Sequence, residues 1–300
     1  MMDVLLFAMP HDYLSTIAFG LLGLLIGSFL NVVIYRLPKI YLREVDNFVA
    51  EQRKETLPHQ DKFNLMLPRS ACPHCGHQIT AMENIPVISY LVIGGKCTGC
   101  KAKISIRYPL VEALTALLSA AMIWHFGSGV AGMGAVIFVW LLIAMTFIDL
   151  DHKLLLDDLT LSLLWIGLLL NLNGNFVPLK DAVLGACAGY LSLWSIFWAY
   201  KLLTGKEGFG YGDFKLLAAL GAWMGWTVLP VIIMLSCCVG AAIGITQIVF
   251  SKMGWGKETG WSSEMSFGPY LTGAGLIALI WGKDIVNIYL SSNQWLAISH

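Results

Sequence analysis

Long stretches without charged side chains alternate with short polar segments along this sequence. Six apolar stretches can be read from it: five without any charge, 13–35, 113–148, 159–179, 182–200 and 267–282, and one, 214–250, that carries only Lys215. A helix needs roughly 20 apolar residues to cross a membrane core of about 30 Å. The stretch 113–148 is interrupted at 126–129, and Gly225 and Pro230 divide 214–250. The pattern therefore predicts an all-α polytopic membrane protein with about eight transmembrane helices, of which the sixth, about 214–226, is either a true crossing or a re-entrant piece.

The composition supports a membrane protein. Hydrophobic residues make up 57% of the chain and charged residues 13%, against about 25% charged residues in soluble domains. The mean hydropathy is +0.70. These values exclude an ordinary soluble enzyme, and 14 Phe, 11 Trp and 10 Tyr exclude a disordered chain.

The basic residues predict the orientation, because Lys and Arg concentrate on the cytoplasmic side of membrane proteins. With the N-terminus outside, eight crossings leave only Lys180 and Lys283 outside. The other 17 of the 19 basic residues then face the cytoplasm: the 11 within 36–107, and Lys153, Lys201, Lys206, Lys215, Lys252 and Lys257. No cleavable signal peptide is expected, since the start of the chain lacks a basic region.

One polar segment, 37–108, separates the first two predicted crossings. We divide the chain into an N-terminal tail and first helix (1–36), a cytoplasmic domain (37–108), a membrane domain of about seven helices (109–290) and a C-terminal tail (291–300). The cytoplasmic domain has a net charge of +5 when Arg36 is included. This charge predicts contact with anionic lipid headgroups, and the absence of alternating aromatic and basic residues predicts no nucleic-acid partner.

Four cysteines of this domain form two CxxC pairs. They are Cys72 with Cys75, and Cys97 with Cys100. This spacing is typical of a structural zinc site with four thiolate ligands, which would staple a small domain. Two disulfides or a redox function are the alternatives, and a reducing cytoplasm disfavours disulfides. His74 and His77 are expected to be solvated.

Two carboxylates stand at the predicted cytoplasmic edge of the membrane. Asp149 follows one apolar stretch and Asp213 precedes another. Such a pair could share a proton and activate water. A helix C-terminus disfavours the charge of Asp149 and a helix N-terminus favours that of Asp213, so we expect Asp213 to be the carboxylate. Gly210 and Gly212 would let a substrate strand approach closely.

Seven motifs in order make the chain resemble the type IV prepilin peptidases. The motifs are GSFLNVVIYRLP at 27–38, the two CxxC pairs, ENIPVIS at 83–89, ISIRYPLVE at 104–112, IDLDH at 148–152, GYGDFK at 210–215 and FGPY at 267–270. The resemblance implies an aspartyl protease of the bacterial inner membrane with a Gly-x-Gly-Asp motif. Its substrates would be type IV prepilins and type II secretion pseudopilins, cleaved after a Gly.

The resemblance also implies residue roles. Asp149 and Asp213 match the catalytic aspartates, and the four cysteines match the zinc ligands. A second activity, N-methylation of the new terminal residue with S-adenosylmethionine, is implied for many members, and Gly95 matches a glycine associated with it. Leu156 replaces the proline usual in the family, which predicts a more mobile loop.

Two other functions fit part of the pattern. A proton-coupled membrane transporter would explain acids at the membrane edge, but not the glycines beside Asp213 or the zinc domain. A zinc-stapled scaffold would make both aspartates dispensable. The sequence does not locate the methyl-donor site or define the oligomeric state.

Overall fold

The computed structural model describes residues 12–205, 210–253 and 266–298. Lys206 and Lys257, which the charge analysis assigned to the cytoplasm, lie outside these residues. The regular elements are nine α-helices, two 3₁₀ turns and two isolated β-bridges within the described ranges. The helices are α1 (Tyr13–Gln52), α2 (Ile88–Val92), α3 (Arg107–Phe126), α4 (Val130–His152), α5 (Asp157–Asn171), α6 (Leu179–Thr204), α7 (Tyr211–Met224), α8 (Leu229–Lys252) and α9 (Gly268–Ile298). The all-α prediction is confirmed.

Six of these helices are long and apolar enough to cross a membrane: α1, α3, α4, α6, α8 with the 3₁₀ turn before it, and α9. The other two predicted crossings correspond to α5 and α7, which have 15 and 14 residues. At 1.5 Å per residue these helices are only about 22 Å long. The structure therefore supports a multi-pass membrane protein, but the predicted count of eight crossings is not confirmed.

The helices divide into two compact units, Met1–Ala144 and Met145–His300. In the first unit, α1 packs closely on α3 through glycines. A Cβ atom at Gly27 would lie 2.7 Å from the Cα of Glu112, and one at Gly23 would lie 2.8 Å from the Cα of Ala116. Small residues of this kind let helix backbones approach each other within a membrane.

The helix α1 continues past Arg36 to Gln52. Its 40 residues span about 60 Å, roughly twice the thickness of a membrane core. Arg36 is buried and its guanidinium donates hydrogen bonds to the carbonyls of Asn64 at 2.9 Å and Pro68 at 2.6 Å. Charged donors form strong hydrogen bonds, so Arg36 fastens the segment before the first cysteine pair to α1.

In the second unit, α5 and α7 run parallel to each other. Lys215 near the start of α7 binds both carboxylate oxygens of Asp157, the first residue of α5, at 2.6 and 2.7 Å. At the opposite ends, the buried Asn171 side chain donates to the carbonyls of Ala222 and Trp223 at 2.9 and 3.1 Å. These carbonyls belong to the last turn of α7, where helices leave acceptors unpaired.

The helix α7 is almost entirely buried, from Asp213 to Met224. It meets α6 backbone to backbone, because a Cβ atom at Gly185 or at Gly221 would overlap the backbone of the other helix. Where α9 crosses α7, a Cβ atom at Gly275 would lie 2.6 Å from Leu220. A helix enclosed in this way has little room to shift, so the position of Asp213 at its start is fixed.

We predict that Asn171→Leu destabilises the second unit. The side-chain oxygen Oδ1 of Asn171 also accepts the N–H groups of Phe176 and Val177 at 3.0 and 3.1 Å. The variant therefore leaves four backbone groups without this partner, three of them buried and that of Phe176 part-buried. Each such group costs about 1–3 kcal/mol. Thermal melting of the detergent-solubilised protein should show a clearly lower transition. Leu172→Ala is the control, since Leu172 is 61% exposed; equal melting of both variants would contradict the role of Asn171.

Candidate active site and metal centre

The two predicted catalytic acids are buried at helix ends of the second unit. Asp149 lies in the last turn of α4 and is 5% exposed, while Asp213 lies in the first turn of α7 and is 7% exposed. Their carboxyl groups interact electrostatically. Burial of two interacting carboxyl groups at one place is costly unless donors or a shared proton stabilise them.

One carboxylate oxygen of Asp149 is held at the start of α9. Asp149 Oδ2 accepts the backbone N–H of Gly268 at 2.9 Å and also the hydroxyl of Ser266. One turn away, the hydroxyl groups of Thr146 and Thr272 are 2.7 Å apart and join the same two helices. Among the described residues no further donor reaches Asp149. The end of α4 is thus joined to the beginning of α9 at two levels.

Asp213 is held by its own loop. Its Oδ2 accepts the backbone N–H of Gly210 at 3.2 Å, and its N–H donates to the Gly210 carbonyl at 3.2 Å. This is the pattern of a carboxylate in the first turn that caps its own helix. A Cβ atom at Gly212 would lie 2.6 Å from the Cβ of Leu155, and Leu155 also lies against Gly268. Leu155 therefore separates the start of α7 from the start of α9.

These contacts argue against the predicted protonation of the two aspartates, in which Asp213 is the carboxylate and Asp149 the acid. The prediction placed Asp149 at the unfavourable C-terminal end of α4, but its carboxyl group lies at the favourable N-terminal end of α9. A hydrogen bond to a charged group contributes about 1.5–3 kcal/mol, whereas a helix dipole contributes about 0.3–1 kcal/mol. Within the described ranges, Asp149 has two donors and Asp213 has one. The geometry favours Asp149 as the carboxylate.

Aromatic rings surround the start of α7. Phe214 is fully buried, and its ring centroid lies 5.6 Å from that of Phe197, 5.5 Å from that of Tyr211 and 6.0 Å from that of Tyr190. Rings at such distances stabilise one another beyond the effect of burial alone. The residue after Asp213 is therefore anchored in the protein interior.

The residue that replaces the usual proline is well placed in the structure. Leu156 has φ −74° and ψ 136°, which are angles that a proline also adopts. Its side chain is 5% exposed, and its carbonyl accepts the N–H of Thr160 at 3.1 Å. Side-chain burial thus holds the start of α5 in place of a rigid ring, and the mobility of this loop stays a prediction.

The four cysteines of the first unit form one cluster. Their sulfur atoms all lie within 4.8 Å of one another. Cys72 Sγ is 3.8 Å from Cys100 Sγ, and Cys75 Sγ is 3.9 Å from Cys97 Sγ. A zinc ion with tetrahedral Zn–S bonds of about 2.3 Å separates its sulfur ligands by about 3.8 Å. The cluster fits a metal ion bound by four thiolates, and all four cysteines are free rather than disulfide-bonded.

Two short backbone loops hold these cysteines. In the first loop Cys72 N–H donates to the His77 carbonyl at 2.8 Å, and in the second Cys97 N–H donates to the Ala102 carbonyl at 2.9 Å. The backbone N–H groups of His74 and Cys75 lower the pKa of the Cys72 thiol to about 7, whereas that of Cys75 is raised to about 11, against the effect of the His77 N–H, by burial and by hydrogen bonds with the other thiols. A thiol that ionises readily is a better metal ligand.

Glu83 connects the two loops. It accepts hydrogen bonds from the Thr98 hydroxyl and from the N–H and hydroxyl of Thr80, both at 2.8 Å. These bonds, that of Thr98 above all, lower the pKa of Glu83 to about 2. The imidazole of His77 lies 3.1 Å from the same carboxylate. His77 is thus part of this network rather than merely solvated.

Gly95 has a clear packing role. Its φ is +63°, a region that favours glycine, and a Cβ atom there would lie 2.8 Å from the Tyr90 ring. Its carbonyl accepts the N–H of Ile104 at 2.8 Å. The glycine therefore permits the turn that leads into the second cysteine loop.

Sequence reasoning missed Ser266 and the N–H of Gly268. The FGPY motif at 267–270 was noted only as a point of resemblance. The one available indication was the Gly-Pro pair, because Pro favours the first turn of a helix and so marks an N-terminus with free N–H groups. Its proximity to Asp149, 119 positions earlier, could not be read from the sequence.

Comparison with known proteins identifies two matching family models. The bacterial peptidase A24 N-terminal domain matches residues 21–126, and the type IV leader peptidase family matches residues 136–245. No solved structure matched significantly.

Several similar proteins are named prepilin leader peptidase/N-methyltransferase. The protein from Aeromonas hydrophila is 54% identical over 289 residues, covering 95% of this chain and 96% of that protein. That from Pseudomonas aeruginosa is 52% identical, covering 96% and 98%, and that from Legionella pneumophila is 45% identical, covering 93% and 96%. With identity at this level along nearly the whole chain, the protein belongs to the type IV leader peptidase family.

Proposed function

We propose that this protein processes prepilins in two steps, as a membrane aspartic endopeptidase and as an N-methyltransferase. It would cut the leader from type IV prepilins and type II secretion pseudopilins after a Gly, and then methylate the new N-terminal residue. The observation that supports the peptidase most directly is the burial of two carboxyl groups, Asp149 and Asp213, at helix ends that both contact Leu155. The names of the relatives support both activities.

In the proposed peptidase reaction the pair divides the proton transfers. Asp149, as the carboxylate, takes a proton from a water molecule whose oxygen attacks the carbonyl carbon of the scissile Gly. Asp213, as the acid, gives its proton to the departing amide nitrogen when the C–N bond breaks. The proton on Asp149 returns to Asp213 before the next cycle. Among the described residues, only Asp213 lies within 4 Å of a Cβ position at Gly210, which supports the approach of an extended substrate on this side of the loop.

The methyl transfer would require S-adenosylmethionine as the methyl donor. The new amine must be neutral when its nitrogen attacks the methyl carbon, and one proton leaves the product amine. We assign the methyl transfer to the domain that contains the cysteine cluster. Gly95 is the residue of this domain that the sequence resemblance associates with the activity. Zinc in the cluster would stabilise that domain, and four thiolates leave no ligand position for chemistry.

We further propose that the protein lies in the bacterial inner membrane with its N-terminus outside. The cysteine domain and the aspartate pair then face the cytoplasm, where the basic domain contacts anionic lipid. The six crossing helices support a multi-pass protein. The family membership favours this function over the proton-coupled transporter considered as the alternative.

We predict that Asp149→Asn and Asp213→Asn each abolish cleavage, because each removes one partner in proton transfer. The measurement is the conversion of a prepilin by the reconstituted protein, followed by gel mobility and mass spectrometry. Methylation of a pre-cleaved pilin with labelled S-adenosylmethionine should persist in both variants, which would also show that they fold.

The matched control is Asp158→Asn, which changes an exposed acid at the start of α5. It should cleave as the unaltered protein does. Cleavage that survives in both Asp149→Asn and Asp213→Asn would contradict the proposed peptidase site.

We predict one zinc ion per chain, bound at the cysteine cluster. Elemental analysis of the purified protein should detect the metal, and Cys72→Ser should lower both its content and the melting temperature, since metal binding stabilises small domains. Cys187→Ser, which changes an exposed cysteine of α6, is the control and should retain the metal. Equal zinc content in the two variants would rule out this site.

The proposed orientation predicts which positions are reachable from outside the cell. A cysteine introduced at Lys180 should react with a membrane-impermeant maleimide in intact cells. One introduced at Glu55, an exposed residue of the cysteine domain, should react only after the membrane is opened. The reverse pattern would show the opposite orientation.

A further inference from the structure

We infer that Ser266 is a positioning residue that, together with the backbone N–H of Gly268, orients Asp149 and stabilises its charged form at the start of α9. This inference rests on the proposed peptidase function, in which Asp149 accepts a proton from water. Ser266 would act through Asp149 and would not itself contact the reacting atoms.

The hydrogen bonds define how Asp149 is oriented. Both donors reach the same oxygen, Oδ2, and the Gly268 N–H at 2.9 Å can only donate. Oδ2 is therefore an acceptor in every protonation state of the pair. Among the described residues Oδ1 has no donor, so it is the oxygen available to a water molecule. Asp213 has the same arrangement, with Oδ2 held by Gly210 and no described donor at Oδ1.

The start of α9 is shaped to receive this carboxylate. A Cβ atom at Gly268 would overlap the carboxylate of Asp149, so only a glycine allows the N–H to come this near. Leu155 packs against the same place, with its Cδ2 atom 3.3 Å from that Cβ position. The Thr146–Thr272 hydrogen bond fixes the register of α4 against α9. The contact therefore depends on the packing of three segments: the end of α4, the loop that contains Leu155 and the start of α9.

The charged groups around Asp149 explain why a hydrogen bond from Ser266 is needed to stabilise its carboxylate. The charge of Asp149 acts on Asp213 at the start of α7. Repulsion between two carboxylates is mutual, so a charged Asp213 disfavours a charge on Asp149. The described salt bridges pair Lys215 with Asp157 and include none to Asp149. In the described part of the chain, the stabilisation of a charged Asp149 thus comes from the two donors at the start of α9.

The test compares Ser266→Ala with Ser266→Thr in the prepilin cleavage assay. The alanine variant loses a donor to a charged acceptor, which corresponds to a fall in kcat of roughly 10- to 100-fold with KM little changed. The acidic limb of its pH–rate profile should move to higher pH by about one unit or more, because the carboxylate needed as base is less stable. The threonine variant retains a hydroxyl, so it should recover most of kcat, and the acidic limb of its pH–rate profile should return to the original pH.

Ser236→Ala is the matched control, since Ser236 is a fully buried serine of α8 whose hydroxyl bonds within its own helix. It should leave kcat and the pH profile unchanged. Methylation of a pre-cleaved pilin and thermal melting report whether each variant is folded. If Ser266→Ala does not fold, Ser266→Cys, which keeps the size but weakens the donor, should show the same direction of change.

The outcomes separate this inference from the proposed function. If Asp149→Asn abolishes cleavage while folded Ser266→Ala keeps the original kcat and pH profile, Ser266 has no positioning role and the peptidase site stands. If folded Ser266→Thr is as impaired as the alanine variant, the hydroxyl is not the active feature and the inference is also wrong. Cleavage by Asp149→Asn would overturn the proposed function itself.

Discussion

The hydrogen bonds between Asp149 and the start of α9 are the interaction on which the proposed active site depends. They join the end of one long helix to the beginning of another, 119 positions later in the chain. Without them a buried carboxylate would face a second one with no compensation, which is costly in a low-dielectric interior. With them, Asp149 can remain charged beside Asp213. The same contact therefore serves both the packing of the second unit and its proposed chemistry.

Other contacts of the second unit fix the position of α7 and therefore that of Asp213 in its first turn. Glycines let the backbones of α6 and α7 pack closely, and the Asn171 side chain donates hydrogen bonds to carbonyl groups at the C-terminal end of α7. The first unit uses a different means of rigidity. There, the cysteine cluster and the Glu83 network join two short loops that have few apolar side chains to bury. A small polar domain of this kind gains stability from a metal ion, whereas a membrane bundle gains it from close packing of backbones.

Much of this could be predicted from the sequence, and the parts that could not be predicted share a cause. Charge-free stretches identified the membrane helices, and the CxxC spacing identified the cysteine cluster, because both depend on neighbours in sequence. The number of crossings was not established, since α5 and α7 are apolar yet short, and the enclosure of α7 by other helices is invisible in a linear pattern. The charge of Asp149 was assigned from its own helix, while α9, whose hydrogen-bond donors favour the opposite assignment, is distant in sequence. Likewise, the buried side chain of Leu156 holds the start of α5 where the family has a proline, and this burial depends on the fold and is not visible in the sequence.

The most direct test of this account is the protonation of the two aspartates in the reconstituted protein. Carbon-13 NMR of protein labelled at the aspartate side-chain carboxyl carbon can report it, with each resonance assigned by its loss in the corresponding Asn variant. At the pH of maximal cleavage, the account predicts the chemical shift of a carboxylate for Asp149 and that of a carboxylic acid for Asp213. A protonated Asp149 beside a charged Asp213 would contradict it.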